Sequence, residues 1–365
     1  MDRLESARKA INEIDKEMAE LFVRRMQASA EVGRYKISRG LPVFDPVREA
    51  EVIRNNSVRV EDEELREYYV NFLQTCMDLS KNYQSRLQEG LKVAYSGVEG
   101  AFAFIAAKRI FPDGNLCSFG DFKTAYNAVV NGECDCCVLP IENSYAGEVS
   151  QVIDLMFKGT LYINGVYDLE ITQNLIGIEG ASRKDIKTVV SHPQALMQCA
   201  EYIKKRGLKT VEANNTALAA KYVADLGDKT VAAIASEDTA ALYGLEMLEK
   251  SINENSNNTT RFAVFSRVEK KTEADDRSMQ SILVFTVKNE AGALAKAVTI
   301  IGNSGFNMRT LRSRSMKKLL WQYYFYVEVD GNAHSQKGKE MLKALSSCCD
   351  RLRIVGTFAH ETDLK

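Results

Sequence analysis

Between residues 3 and 38 apolar side chains return at Leu4, Ala7, Ile11, Ile14, Met18, Leu21, Val32 and Tyr35, with no internal proline and one glycine. That spacing is close to one face of a helix, and over so long a run it predicts a single continuous helix of about 50 Å. Gly40-Leu-Pro-Val-Phe44 closes the run, and Asp45-Pro46 opens the next. Aspartate suits the cap, and proline suits the first helical position, where its missing N–H costs nothing. A third helix is expected over residues 63–87, which makes the first domain, residues 1–88, all-helical.

From Lys92 the pattern changes to short apolar strands alternating with helices: 93–95, 101–110, 122–130 and 136–139, then 188–191, 193–205, 216–224 and 230–235. Such alternation predicts a parallel sheet with crossover helices. The chain is read as leaving one βα region near Ser150 and returning near Ile252, which gives two lobes and a cleft. Residues 269–278 are charged and patternless and are read as a linker. Beyond it come a strand (281–288), a helix (292–303), a strand (320–329), a helix (335–345) and a last strand (353–358), an α+β unit the size of a small ligand sensor. The expected domains are therefore 1–88, 91–267 and 278–365.

A chain of 365 residues exceeds what one core usually supports, in line with several domains. It is 45% hydrophobic and 27% charged, with no long uncharged apolar window, so no membrane span is expected. Met-Asp-Arg-Leu-Glu-Ser enters a charged amphipathic pattern at once, without the apolar core of a secretory signal, and a cytoplasmic place is expected. A net charge of −1 with no dominant basic face argues against a nucleic-acid partner. The eight cysteines then read as free thiols. Cys134-Asp-Cys136-Cys137 could suggest a metal, but His192, His334 and His360 supply no second ligand pair at a suitable spacing, so a buried strand of small residues is the better reading.

In the helical segment the polar interruptions are Arg8, Arg25, Lys36, Asp45, Arg48 and Glu49, with Ser80 and Gln84 one turn apart on the third helix. Taken singly, each is most simply a solvated surface residue. Arg8 and Arg25 lie about 25 Å apart along one helix, too far to hold one small molecule, so a shared site would take two chains. Arg25 and Lys36, about 16 Å apart on nearly one face, could reach toward each other over a small dianion.

In order and nearly in spacing, this set resembles the all-helical chorismate mutases, in which two chains intertwine and the partner supplies the first arginine. The resemblance implies a Claisen rearrangement of chorismate to prephenate. Catalysis there comes from folding a flexible dicarboxylate and stabilising charge on the ether oxygen as its C–O bond breaks. It assigns Arg8, Arg25 and Arg48 to carboxylates, Lys36 and Gln84 to the ether oxygen, and Glu49 to the ring hydroxyl. Ser80 belongs to the binding set, and Asp45 doubles as helix cap and arginine support. A homodimer or higher oligomer follows.

The βα segment holds three polar clusters at strand ends: Pro140-Ile-Glu-Asn-Ser-Tyr-Ala-Gly147, Ser191-His-Pro-Gln-Ala195 and Asn258-Thr-Thr-Arg-Phe262. Ligands of open α/β sheets collect at such places. Each phrase alone could be a capped turn, and His192 before proline could be structural. Together with Tyr95-Ser-Gly-x-x-Gly-Ala-Phe102 and 235–245 they resemble the prephenate dehydratases over residues 91–267. That implies two lobes like a periplasmic binding protein and conversion of prephenate to phenylpyruvate with loss of water and carbon dioxide. Thr260 is implied as donor to the leaving hydroxyl, with Glu142, Asn143, Ser144 and Gln194 orienting substrate or tuning that donor. Thr259 and Asn258 are backbone-shaping neighbours. Arg261 should point opposite to Thr260 on an alternating strand, and is either a substrate anchor or a structural ion pair.

Residues 280–360 resemble the ferredoxin-like ACT-type regulatory domain that binds phenylalanine. Gly292-Ala293-Leu294 matches the turn whose N–H groups can take an amino-acid carboxylate. Ser313 and Arg314 belong to the second motif, where the family's Glu-Ser-Arg-Pro is replaced by Arg312-Ser-Arg-Ser315. The implied activity is bifunctional, with chorismate and prephenate as substrates, phenylalanine as allosteric ligand, and no metal or organic cofactor called for. The rival readings are an arogenate-preferring dehydratase and a non-catalytic small-molecule sensor.

Overall fold

Chain segments 3–255, 257–270, 278–316, 323–359 and 362–364 are described by the computed structural model. They form two compact units that divide between Lys92 and Val93. The helical unit has three helices, α1 (Arg3–Arg39), α2 (Pro46–Ser57) and α3 (Glu63–Glu89), and both α1 and α2 pack on α3. Asp45 caps α2 by accepting from the backbone N–H of Arg48, with Pro46 at the first helical position. Along α1 only Ser29, Ala30 and Gly33 are buried, whereas Ile11 and Ile14 remain 56% exposed. The periodic apolar stripe of α1 is thus open over most of its length within one chain.

The second unit begins with a lobe built from β1 (Lys92–Ser96), α4 (Phe102–Ile110), β2 (Asn115–Phe119), α5 (Phe122–Val130), β3 (Cys136–Asn143), β4 (Gly147–Glu148), α6 (Ser150–Lys158) and β5 (Tyr162–Glu170). The chain crosses to a second lobe through β6 (Asn174–Gly177), β7 (Thr188–Ser191), α7 (Pro193–Gln198), α8 (Ala200–Arg206), β8 (Lys209–Glu212), α9 (Thr216–Leu226), β9 (Val231–Ala235), α10 (Glu237–Leu242) and β10 (Glu246–Glu249). It returns to the first lobe as β11 (Thr259–Ser266). The departure comes after Glu170 rather than near Ser150, because α6 and β5 stay in the first lobe and β5 pairs antiparallel with β11.

The first-lobe sheet runs β5-β11-β3-β1-β2, with β4 beside β3 and a C-terminal strand, β16 (Thr362–Leu364), beside β5; the second runs β10-β6-β9-β7-β8. The expected parallel character holds for β1 with β3 and for β7 with β8 and β9. The crossing strands β5, β6, β10 and β11 pair antiparallel, which makes both sheets mixed. Cys136 and Cys137 lie buried in β3 with Cys134 just before it, and burial pushes the Cys137 thiol well up. Among the described residues no cluster of ligating side chains could hold a metal ion, and no helix is long and apolar enough to cross a membrane.

The last part consists of β12 (Met279–Val287), α11 (Ala293–Asn303), β13 (Met308–Ser315), β14 (Tyr323–Asp330), α12 (Gln336–Leu345), β15 (Cys349–Ala359) and β16 (Thr362–Leu364). Its four-stranded antiparallel sheet, β13-β14-β12-β15, has the ferredoxin-like βαββαβ order. Most of the expected linker, residues 271–277, and His360 lie outside the described residues, as do residues 320–322 of the expected strand.

One face of this sheet packs on the first lobe: Ile282, Val284, Tyr324, Tyr326, Val355 and Phe358 share a core with Leu139, Ile153, Phe157 and Phe265. Phe157 and Tyr324 stack with ring centroids 4.0 Å apart. Gly356 meets β5 so closely that a Cβ there would fall 2.1 Å from the carbonyl oxygen of Ile163, so only glycine fits. Arg353 donates to the carbonyl oxygens of Met156, Gly159 and Leu161, filling acceptors at the end of α6.

Candidate functional sites

Small residues let α1 approach α3, and polar side chains fill the seam. Arg25 Nη1 donates to the Cys76 carbonyl at 2.8 Å and to Ser80 Oγ, while Ser80 donates onward to Cys76 O at 2.9 Å. One turn along α3, Gln84 is buried, gives Nε2 to Ser29 Oγ at 3.0 Å, and has its Oε1 unpartnered. Gly33 makes that possible: a Cβ there would lie 3.0 Å from Gln84 Cγ.

Around the seam, Lys36 Nζ donates to Val43 O at 2.6 Å, tying the end of α1 to the turn before α2. Glu49 pairs with Lys81 at 2.8 Å, and Lys81 also holds Asp78 at 3.0 Å. Burial works against the Lys81 charge, but the hydrogen bonds to Glu49 and Asp78 prevail and raise its pKa. Arg48 reaches Glu51 at 2.7 Å in an exposed pair, and Arg8 sits on the exposed first third of α1. The structure therefore gathers Arg25, Ser80 and Gln84 within one chain and leaves Arg8 apart. Ser29 and Lys81 escaped the sequence reading, although Lys81 stands between Ser80 and Gln84.

Between the two lobes lies a cavity of about 800 Å³. Asn143, His192, Gln194, Gln173, Gln198, Thr260 and Phe262 line it. The N-terminal ends of α4, α5, α6, α7 and α9 also open onto it through Ala101, Asp121, Val149, Gln194 and Thr216. Ala101 and Val149, at the caps of α4 and α6, offer no side-chain acceptor to the first N–H groups. Among the described lining residues there is no lysine or arginine; Asp121 and Glu148 are the carboxylates. What this lining offers an anion is helix N-termini rather than cationic side chains.

Thr260 stands opposite Asn143 across the β11–β3 ladder. Asn143 Nδ2 donates to Thr260 Oγ1 at 2.9 Å and to Asn258 Oδ1 at 2.8 Å, while Asn143 Oδ1 accepts the backbone N–H groups of Tyr145 and Ala146. The bonds of this amide thus help fix the threonine oxygen, which accepts from Asn143 with one of its two lone pairs. Gln173 Nε2 meets Gln198 Oε1 at 3.2 Å, two cleft amides the sequence reading did not single out. His192 does face the cleft, but its Nδ1 caps α7 by accepting the N–H of Gln194 at 3.2 Å.

Five expected site residues lie elsewhere. Arg261, opposite Thr260 by strand alternation, forms a fork with buried Glu328 of β14 at 2.7 and 3.0 Å, the ion-pair arrangement of the two expected, and does not line the cleft. Glu142 turns to the same side, pairs with Arg261 at 3.4 Å and with Arg312, and does not line the cleft. Ser144 stitches loops together, accepting the N–H of Thr259 at 3.0 Å and donating to Asn257 O at 2.9 Å. Arg314, expected beside an amino-acid effector, bonds Glu148 and Asp154 instead, because odd and even residues of β13 face opposite ways; Ser313 is exposed on the other face. Gly292, with φ of 83°, caps α11 without a side-chain acceptor, and the Ala293 N–H donates to the Glu290 carbonyl at 3.2 Å.

Comparison with known proteins places these two sites together. Residues 93–270 match the family described as Prephenate dehydratase, and residues 7–85 match Chorismate mutase type II. A bifunctional chorismate mutase/prephenate dehydratase of Aquifex aeolicus is 28% identical, covering 98% of each chain. Arogenate dehydratase 2 of Petunia hybrida is 32% identical over 75% of this chain and 73% of its own. The structure of a prephenate dehydratase from Arthrobacter aurescens in complex with L-Phe superposes with a TM-score of 0.69, at 26% identity, over 74% of this chain and 90% of that one. The chain belongs to the bifunctional chorismate mutase/prephenate dehydratase family. It is an enzyme of L-phenylalanine biosynthesis that carries both activities.

Proposed function

We propose that the second reaction is carried by one hydrogen bond, from Asn143 Nδ2 to Thr260 Oγ1 at 2.9 Å. With its oxygen engaged as acceptor, Thr260 donates a hydrogen bond to the ring hydroxyl of prephenate as that group leaves, while the proton that completes water comes from solvent and threonine stays neutral. Electrons of the C–CO₂⁻ bond flow into the ring, which becomes aromatic and supplies much of the driving force. A strong cation on the ring carboxylate would hold those electrons back and stabilise the ground state. The cation-free lining supports this reading, with the pyruvyl carboxylate received by the uncapped helix ends at Ala101 or Val149. Gln194 orients the substrate.

In the helical domain, residues 1–88, Arg25 and Arg48 hold the carboxylates of chorismate, Lys36 and Gln84 address its ether oxygen, and Glu49 takes the ring hydroxyl. Ser80 and Asp45 support the arginines. Turning the Gln84 amide over exchanges its two ends, so that Ser29 donates to Oε1 and Nε2 is freed for the ether oxygen. Arg8 comes from a second copy, whose helix covers the exposed stripe of Ile11, Ile14, Met18 and Leu21. The protein is accordingly a homodimer or larger, working in the cytoplasm.

The dehydratase domain spans 91–267. The third domain, 278–365, is of the ACT type and senses phenylalanine at the turn Gly292-Ala293-Leu294, where α11 starts without a side-chain cap. A second reading has one observation in its favour: Asp121, a carboxylate of the cleft wall, could meet the ammonium group of arogenate. Competing kcat/KM values for prephenate and arogenate separate the two. The test of the whole scheme is a chorismate-to-phenylpyruvate assay on purified protein; no phenylpyruvate from chorismate or from added prephenate would sink it.

A further inference from the structure

Strand β13 carries the motif in which this chain departs from its family, and its side chains explain the departure. Arg312 and Arg314 are half-buried on the face turned toward the first lobe, with Leu311, Ser313 and Ser315 on the other. Arg312 reaches Glu142 with Nη2 and Glu148 with Nη1, the latter at 3.5 Å. Arg314 takes Glu148 with Nη1, Ser150 Oγ at 2.7 Å with the same nitrogen, and Asp154 at 3.0 Å with Nε. Glutamate at position 312 would instead face two carboxylates and repel them.

Glu142 and Glu148 are register partners across the short β3–β4 hairpin, and the next pair toward its turn is Asn143 with Gly147. The two legs of the hairpin that presents Asn143 to Thr260 are therefore held by a single guanidinium, and Glu148 also borders the cleft itself. Both carboxylates are about a quarter exposed, as is Arg312, so these pairs add little to stability. Their geometric effect is larger, since a misplacement of about 1 Å at a catalytic donor can cost about a hundredfold in rate.

We propose that Arg312, seconded by Arg314, is a positioning residue for the dehydration: it clamps the β3–β4 hairpin and so fixes the Asn143 amide against Thr260. This rests on the assignment of Thr260 as the donor. The clamp also gives the third domain a direct hold on the catalytic hairpin within one chain.

The test is steady-state kinetics with added prephenate on the full chain and its variants Arg312→Ala, Arg312→Lys, Glu142→Gln and the double variant Arg312→Ala/Glu142→Gln. The thermal melt of the full chain serves as the folding control, because the helical unit is a separate compact unit. Arg312→Ala should lower kcat about tenfold while KM stays within about twofold. Arg312→Lys, which keeps the charge but cannot fork between two carboxylates, should recover part of the loss. The double variant should be no slower than the worse single one, because both remove the same contact. An unchanged kcat in Arg312→Ala, or losses that multiply in the double variant, overturns the clamp. If Arg312→Ala fails to fold, an unchanged kcat in Arg312→Lys overturns it equally. A wild type inactive on prephenate would instead bring down the reading of Thr260 and the clamp with it.

Discussion

In the helical unit the side chains proposed to meet substrate include three cations set on helices, Arg25, Lys36 and Arg48, with Arg8 on the exposed part of α1. In the two-lobed unit the lining has helix ends and neutral amides, and no lysine or arginine among the described residues. Both substrates are dianions, so charge attraction alone does not account for the contrast. The chemistry does. A Claisen rearrangement builds negative charge on an ether oxygen, and fixed cations stabilise that charge as it develops. A decarboxylation drains charge out of a carboxylate, and a cation placed there would oppose the reaction.

The contrast breaks most sharply at Thr260. Thr260→Ala removes the one donor proposed for the leaving hydroxyl, and kcat for prephenate should fall about a thousandfold, within the range of placed proton donors. Prephenate formation from chorismate should be untouched. A loss of both activities, measured by separate assays of the two half-reactions, would mean that the two sites are not separate.

Arg25→Ala should do the reverse, cutting prephenate formation about a hundredfold through loss of a charge-assisted bond to a carboxylate and sparing dehydration. Arg8→Ala should match it only if the partner completes the site. Mixing the two variants after unfolding and refolding together then restores activity, because one of the two sites in each mixed dimer has both arginines intact. Random pairing puts about half of the dimers in that class, so roughly a quarter of wild-type activity returns. No recovery on mixing would show that Arg8 and Arg25 do not share a site across chains.

Arg261→Ala comes next, and its effect is on stability rather than chemistry. The change strands Glu328, which is 1% exposed, without its fork. Leaving one member of a buried pair uncompensated costs about 3 kcal/mol. The melting temperature should fall by several degrees, while kcat near 20 °C drops far less than in Thr260→Ala. Equal losses of kcat in the two variants would return Arg261 to the substrate.

The neighbours Thr260 and Arg261 also show what local pattern can reveal. Strand alternation put them on opposite faces from sequence alone, and helical period gave α1, α2 and α3 with Asp45 as a cap. Those signals live within a few residues of chain. What faces Arg261, Glu142 and Arg314 lies on strands far apart in sequence, so no local spacing marks their partners. Strand β13 was passed over for a related reason: its inward face carries arginines bound to carboxylates, so the apolar alternation that announces a half-buried strand is missing. Lys81 looked like one more surface lysine because its worth depends on Glu49 arriving from another helix.

The smallest effect is expected at Thr259, and it fixes the register of the whole reading. Two threonines adjoin in the sequence, and propensity does not tell them apart. In the folded chain Thr259 works through its backbone: its N–H donates to Ser144 Oγ at 3.0 Å, and its carbonyl accepts from Ser144 N at 2.8 Å and Asn143 Nδ2 at 3.2 Å. Alanine keeps all three bonds, so Thr259→Ala should hold kcat within about twofold, as substitutions away from special features usually do. Proline at 259 would delete the N–H that holds Ser144 and should slow dehydration by shifting the loop beside Asn143. If Thr259→Ala proved slower than Thr260→Ala in the same prephenate assay, the donor would be the first threonine, and the bond from Asn143 to Thr260 would be a packing detail.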